Sequence, residues 1–284
     1  MITKKVLTFC VLFFVCEFSR LHAEKPIPEN LTKEQLVAWC IVPFDAKKRT
    51  PAERVKMLQG LGLKRCAYDW RKEHIPQFEE EILAYKAGGI EFFAFWNVHE
   101  SAFALFRKHG IRPQVWKTLP SPKADSQEER VAAAVKMMTP LAEQTREMGC
   151  KLGLYNHGGW GGTPENMVAV CEALRKGGFE NVGIVYNFHH GHDHIADFSS
   201  ALAKLKPYLL CLNLNGMTDP ETVKAGSGKI LAIGAGKHEA AMIGEVVKSG
   251  YSGPIGILDH INSQDAELSL RRNLEGLEKI LGKD

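Results

Sequence analysis

Apolar positions along the chain gather into short runs that read as strands: AWCIVPF (38–44), RCAYDW (65–70), IEFFAFW (90–96), RPQVWKTL (112–119), KLGLYNH (151–157), NVGIVYNF (181–188), YLLCLNLN (208–215) and PIGILDH (254–260). Between them lie stretches with helical spacing and helical start signals. TPAERVKMLQGLG places Thr50 at an N-cap, Pro51 in the first turn and Glu53 three residues after the cap. A capping hydroxyl and a returning carboxylate satisfy amide donors that a first turn leaves unpaired. Thr163 and Pro164 repeat the device and their helix closes on Gly177 and Gly178; Asp219 and Pro220 open a further one. The amphipathic stretch 126–148 reads as a long helix that Pro140 should kink or divide. Strand-like runs alternating with helices over about 250 residues predict an α/β fold, a single-domain (β/α)8 TIM barrel. A doubly wound open sheet would carry a Gly-rich phosphate loop after its first strand, and PFDAKKRTPAE is not one. KILAIGAG (229–236) has the character of a ninth strand, but the helical HEAAMIGEVVKSG after it leads directly into the last run. It is therefore read as part of the loop after the seventh strand.

The N-terminus stands apart. A basic MITKK, an apolar VLTFCVLFFVC and LHA ending on a small residue read as a signal peptide over 1–23, despite the large Leu21, with the barrel occupying 24–284. The expected product is exported, periplasmic or secreted. No other stretch approaches the length of an apolar membrane span, so no membrane contact is expected beyond the signal. The 45% hydrophobic and 24% charged composition is that of an ordinary soluble domain. Removing 1–23 takes Lys4, Lys5, Arg20 and Glu17 from a chain of net charge +3, which leaves it close to neutral. Without a basic patch, nucleic acid is a poor partner. The remaining cysteines, Cys40, Cys66, Cys150, Cys171 and Cys211, are odd in number and form no C-x-x-C pair. They read as buried thiols rather than a disulfide framework.

A (β/α)8 barrel builds its active site at the C-terminal ends of its strands. Polar residues collect there: Asp45; Asp69 and Arg71; Trp96, Asn97, His99 and Glu100; Trp116 and Lys117; Asn156, His157 and Trp160; Asn187, His189, His190 and His192; Asn213 and Asn215; Asp259 and His260. Trp70, Trp96, Trp116 and Trp160 fall at the same end. Aromatic walls with a few directional amides and carboxylates suit a small carbohydrate. The spacing HHGHDH fixes no metal geometry by itself. No Arg/Lys cluster or Gly-rich cradle follows the last two strands, where Lys237 is the only nearby cation with an obvious claim, so a neutral or weakly charged sugar is expected rather than a sugar phosphate.

At this point LGLYNHGGWGGTPENMVAVCEAL, NVGIVYNFHHGH, LLCLNLN and GYSGPIGILD resemble strands five to eight of the xylose-isomerase-like TIM barrels. That group takes in sugar isomerases, sugar epimerases and endonuclease IV. The resemblance covers about residues 36–280. It implies a divalent metal held by Glu, Asp, His and Glu, with the two Glu moving protons beside a sugar carbonyl. Position by position, Tyr155 stands for the first Glu, Asn187 for the Asp, Asn213 for the His and Leu258 for the last Glu, with Asp259 one residue on. Asn156, His157 and His190 match.

Two functions follow as expectations. The first is a sugar isomerase/epimerase-like enzyme, or a relative acting on oxidised sugars. In it His157, His190 and Asp259 are catalytic, and Asn156, Trp160, Trp116, Trp96, Asn187, Asn213, Asn215 and His260 bind substrate. A divalent metal, if bound, is held by His157 and His190. The alternative is a non-catalytic carbohydrate-binding barrel without the metal site. An endonuclease IV-like activity would need a larger ligand set and a basic groove that the sequence does not provide.

Overall fold

β1 (Val37–Trp39) pairs in parallel with both β2 (Arg65–Tyr68) and β8 (Ile255–Leu258), and that double pairing closes the sheet. The intervening strands β3 (Glu91–Trp96), β4 (Gln114–Thr118), β5 (Leu152–Tyr155), β6 (Val182–Asn187) and β7 (Leu209–Leu214) follow in chain order around the barrel. The structure, a computed structural model, describes residues 27–282. The expected signal peptide, 1–23, lies outside the described residues. Among the described residues no helix is long and apolar enough to cross a membrane.

Helices α1 (Pro51–Gly60), α2 (Phe78–Gly88), α3 (Glu100–His109), α4 (Gln127–Glu147), α5 (Pro164–Lys176), α6 (Phe198–Leu205), α7 (Pro220–Lys224), α8 (Glu239–Lys248) and α9 (Ala266–Ile280) fill the crossovers. α1 begins as its sequence demands: the Thr50 hydroxyl accepts from Glu53 N, and the Glu53 carboxylate accepts from Thr50 N. α4 keeps Pro140 without dividing, and the Thr139 hydroxyl donates to the Val135 carbonyl beside it. The 229–236 segment contributes one isolated antiparallel bridge, Gly216 to Leu231, and no barrel strand.

Strand alternation divides the core in two. Outward-facing residues such as Ala38, Cys66, Leu152, Leu154, Ile184, Leu212 and Ile257 pack under the helices. Inward-facing Val37, Trp39, Ala67, Trp116, Tyr155, Val185, Cys211 and Leu258 fill the barrel. Two glycines make that filling fit. A Cβ at Gly153 would stand 2.6 Å from Val185 Cγ2 and 2.8 Å from Trp116 Cδ1, and one at Gly256 would overlap Asn213 Oδ1. All five cysteines expected to be buried thiols are buried and free.

Candidate active site

β1 stops at Trp39, five residues before the apolar run does. Cys40 has φ +60, in the left-handed region that L-residues rarely adopt. Alternation would turn Cys40 outward; the left-handed backbone instead leaves Trp39 and Cys40 together in the interior cluster. Above them is a cavity of about 70 Å³, lined also by Phe44, Asp69, Arg71, Trp96, Tyr155, His157, His189, His190 and His260. Its aromatic floor is tightly interlocked. Trp39 meets Trp116 edge-on at 4.9 Å, Trp96 meets Tyr155 at 4.4 Å, and Trp39 Nε1 donates to the Tyr155 hydroxyl at 3.4 Å. A larger groove of about 580 Å³ lies beside Asp45 and Arg49. Its buried charges are spent on structure, since Arg49 pairs with Asp45, Asp265 and Glu267.

Four imidazoles form a row along the cavity. Ring centroids are 4.3 Å apart for His157 and His190, 3.8 Å for His190 and His189, and 5.6 Å for His189 and His260. Burial, reinforced by the Lys229 charge, pushes His190 down to about 2. Burial, then the charges of Arg71 and Lys229, pushes His260 down to about 4. His157 is lowered and His189 lies well below its ordinary value, in both cases chiefly by burial. The row is therefore neutral at pH 7, each ring offering one donor and one acceptor. Nδ1 of His189 and of His260 has no partner.

Asp69, just past the end of β2, is 1% exposed; no group meets either carboxyl oxygen in a well-aligned hydrogen bond, although the Val42 and Asp69 amides and the Cys40 thiol lie close enough to act on it. Burial raises it to about 7, against the pull of Arg71. The Cys40 thiol is raised well above its ordinary range by burial and then by Asp69 and Asp259, so it stays protonated.

The expected site residues divide. His157, His190, His260 and Trp96 line the cavity. Asp259 does not: it is turned to α9, where its Oδ1 accepts from Ser269 Oγ at 2.7 Å, and burial raises it to about 7. Asn156, Asn187 and Asn213 are buried and bonded to one another. Asn187 Nδ2 donates to Asn156 Oδ1 at 2.7 Å, Asn213 Nδ2 to Asn187 Oδ1 at 2.7 Å, and Asn156 Nδ2 to the Asn187 carbonyl at 3.1 Å. This amide ladder across β5, β6 and β7 spends most of the groups expected to hold sugar hydroxyls. Asn215 donates to the Gly216 carbonyl and keeps an unpartnered Oδ1 outside the cavity lining. Trp116 is fully buried in the barrel, its Nε1 donating to Gln114. Trp160, on a 3-10 turn after β5, donates to Gln127 on α4. Neither lines the cavity. Lys237 is held by Asp219. Asp69, Arg71 and His189, expected at the strand ends without an assigned role, line the cavity, as do Trp39, Cys40, Phe44 and Tyr155, which were expected in no binding or catalytic role. Asp69 was the most legible of these, as an acid ending a strand-like run.

The donors present differ from those of the metal site that the resemblance implies. Its four positions hold Tyr155, Asn187, Asn213 and Leu258, neutral groups of which the two amides are engaged in the ladder. The imidazoles lie ring against ring at 3.8 and 4.3 Å. Among the described residues no group of three or more His, Cys, Asp or Glu is arranged to hold a metal ion. Divalent Mg or Mn prefers carboxylate oxygens, so this donor set does not fit one.

No family model matches the sequence, and no curated protein matches it. Solved structures do match in fold. 3-Keto-D-glucoside 4-epimerase from E. coli aligns over 87% of this chain and 99% of its own, with 13% identity and a TM-score of 0.61. The IOLI protein, solved with a bound zinc atom, aligns over 87% and 98%, with 13% identity and a TM-score of 0.67. D-psicose 3-epimerase, solved in the presence of D-fructose, aligns over 87% and 99%, with 13% identity and a TM-score of 0.59.

Proposed function

We propose that this chain, whose fold matches solved sugar-epimerase TIM barrels, is a sugar isomerase or epimerase of the xylose isomerase-like kind that moves a proton beside a sugar carbonyl without a metal step. The observation that carries this reading is the convergence of a buried carboxyl that forms no salt bridge among the described residues, Asp69, and neutral imidazoles on one cavity at the barrel mouth. A base that titrates near the working pH combines adequate ionisation with adequate driving force. Asp69, raised to about 7, fills that requirement. Its carboxylate takes the proton from the carbon next to the carbonyl. The neutral N–H of His157 or His190 donates to the carbonyl oxygen as it becomes an enediolate, a task that suits an imidazole held uncharged. Return of the proton to the former carbonyl carbon, with the neighbouring hydroxyl giving its proton to the imidazole as the new carbonyl forms, isomerises the sugar; a proton delivered to the opposite face by a second imidazole N–H, with Asp69 releasing its own to solvent, epimerises it. About 70 Å³ is well below the roughly 300–1,000 Å³ of a pocket that encloses a whole small-molecule ligand. The cavity therefore takes the reacting end of a sugar and leaves the remainder in the open mouth.

The test is deuterium exchange. Incubated in D2O with a panel of aldoses, ketoses and oxidised sugars, the protein should label the carbon next to the carbonyl of its substrate. Asp69→Asn should reduce the exchange rate about 10²–10⁴-fold, the span of a positioned acid–base group. His190→Ala and His157→Ala should each lower it too, with the fold kept. Sugar binding without exchange in any member of the panel overturns the enzymatic reading and leaves a binding barrel.

A further inference from the structure

Two cations flank the row of imidazoles, and among the described residues neither is paired with a carboxylate. Arg71 lines the cavity, its guanidinium 5.2 Å from the centre of the Phe44 ring and its Nη1 donating to the Trp70 carbonyl. Lys229 comes from the loop after β7, and its Nζ is 3.3 Å from His190 Nδ1. Both charges reach His260 between them. Lys237, by contrast, is neutralised by Asp219. Within the cavity His189 is 2% exposed with an unpartnered Nδ1, and Asp69 is as deeply buried. The groups that await a partner are therefore neutral imidazoles, beside an Asp69 carboxyl that feels the Arg71 charge without forming an ion pair with it.

We infer that the substrate carries an anionic group of its own, a carboxylate held between Arg71 and Lys229, so that the enzyme acts on a sugar acid (a uronate or an aldonate). The inference rests on the reading of the mouth as a sugar site and narrows the expectation of a neutral or weakly charged sugar to the charged kind. A planar guanidinium fork matches a carboxylate with two parallel hydrogen bonds. A phosphate fits less well. Barrels commonly hold phosphate at loops and helix N-termini after the last two strands, and here those positions are already filled by acids. The Glu239 carboxylate accepts from Met217, Gly234 and Gly236 N, and the N-terminus of α9 is covered by Asp265 and by Asp45, which accepts from Ala266 N. A dianion there would meet carboxylates instead of free amides.

Binding of glucose, galactose and mannose, their uronates and aldonates, and their 6-phosphates is measured by calorimetry on the wild type, Arg71→Gln, Arg71→Lys and Lys229→Gln. At least one sugar acid should bind about tenfold or more tightly than its neutral parent and its phosphate, with the advantage shrinking as salt rises. Arg71→Gln and Lys229→Gln should each remove that advantage, read as the ratio of the sugar acid's affinity to that of its neutral parent in the same variant. Arg71→Lys should restore part of it, since the charge remains and the fork is lost. Equal or weaker binding of every sugar acid, or a preference untouched by both Gln variants, overturns the inference. A carboxylate preference that survives without any deuterium exchange would sink the proton-transfer reading alone.

Discussion

At the scale of single residues the mouth inverts the usual order of ionisation. Asp69 holds its proton to about 7, while His190 and His260 give theirs up at about 2 and 4. An unfolded Asp releases its proton near about 4. Between about pH 4 and 7 the native state therefore binds more protons at this position than the unfolded state, and the Asp69 contribution to stability falls as pH rises. The histidines act with the opposite sign. An unfolded His binds a proton at about 6.5, the buried ones only far lower, so stability is lost as pH falls below that value. The two trends oppose each other between about pH 4 and 6.5. Asp69→Asn removes only the acid's part. Relative to the wild type, the variant should gain stability from pH 4.5 to pH 7, by an amount of order a few kcal/mol, and then level off. Urea unfolding of both proteins at pH 4.5, 7 and 8 measures this; a constant difference across the series would mean that Asp69 is ionised throughout.

At the scale of elements, the amide ladder ties β5, β6 and β7 together where the resemblance places metal ligands. Asn187 sits at its centre, donating from Nδ2 to Asn156 and accepting on Oδ1 from Asn213. Asn187→Asp, which puts back the carboxylate of the resemblance, would bring a carboxylate oxygen against Asn156 Oδ1 in a site with no exposure. Such a loss should cost about 1–3 kcal/mol, read as a lower urea midpoint, and added zinc or magnesium should not recover it. The strands and their order were legible because period-two alternation and capped helices leave strong marks, as at Thr50 and Pro51. The end of β1 was not. Ile41 and Val42 are apolar because they are buried in the outer core, not because they lie in the strand. The run AWCIVPF thus hides the left-handed Cys40 and the true strand end at Trp39. Of the five tryptophans, Trp39 was the one not placed at the mouth, yet it lines the cavity with Trp96, whereas Trp116 and Trp160 do not. The ladder was equally hidden, because three asparagines at strand ends look the same whether they face a ligand or one another.

At the scale of the whole molecule, a barrel accommodates only as much side chain as its interior admits, and here the space is divided by two small residues on different strands. Gly153 on β5 admits Trp116, and Gly256 on β8 admits Asn213. Gly153→Ala and Gly256→Ala should each destabilise by about 1–3 kcal/mol through overpacking. The two should differ in consequence. Displacing Asn213 strains the ladder, whereas displacing Trp116 pushes on Trp39 and so on the cavity wall. Gly153→Ala should therefore weaken sugar binding as well as lower the urea midpoint, and Gly256→Ala should act mainly on the midpoint. Equal midpoints for the wild type and both variants would show that the barrel interior can relax around an added methyl.

The contact between Trp39 and Trp116 has an optical consequence. Two indoles 4.9 Å apart and inclined at 74° are neighbouring chromophores held in a fixed chiral arrangement. Their transitions couple, and the coupling depends on distance and angle. The near-ultraviolet circular dichroism of the native protein should carry this signature and lose it on unfolding. Because Trp39 also walls the cavity, a ligand that presses on the mouth should change the angle and with it the sign or size of the band, and an unchanged band on saturation would show that Trp39 stays put. The protein thus contains its own spectroscopic gauge of occupancy, one that needs no label and no turnover.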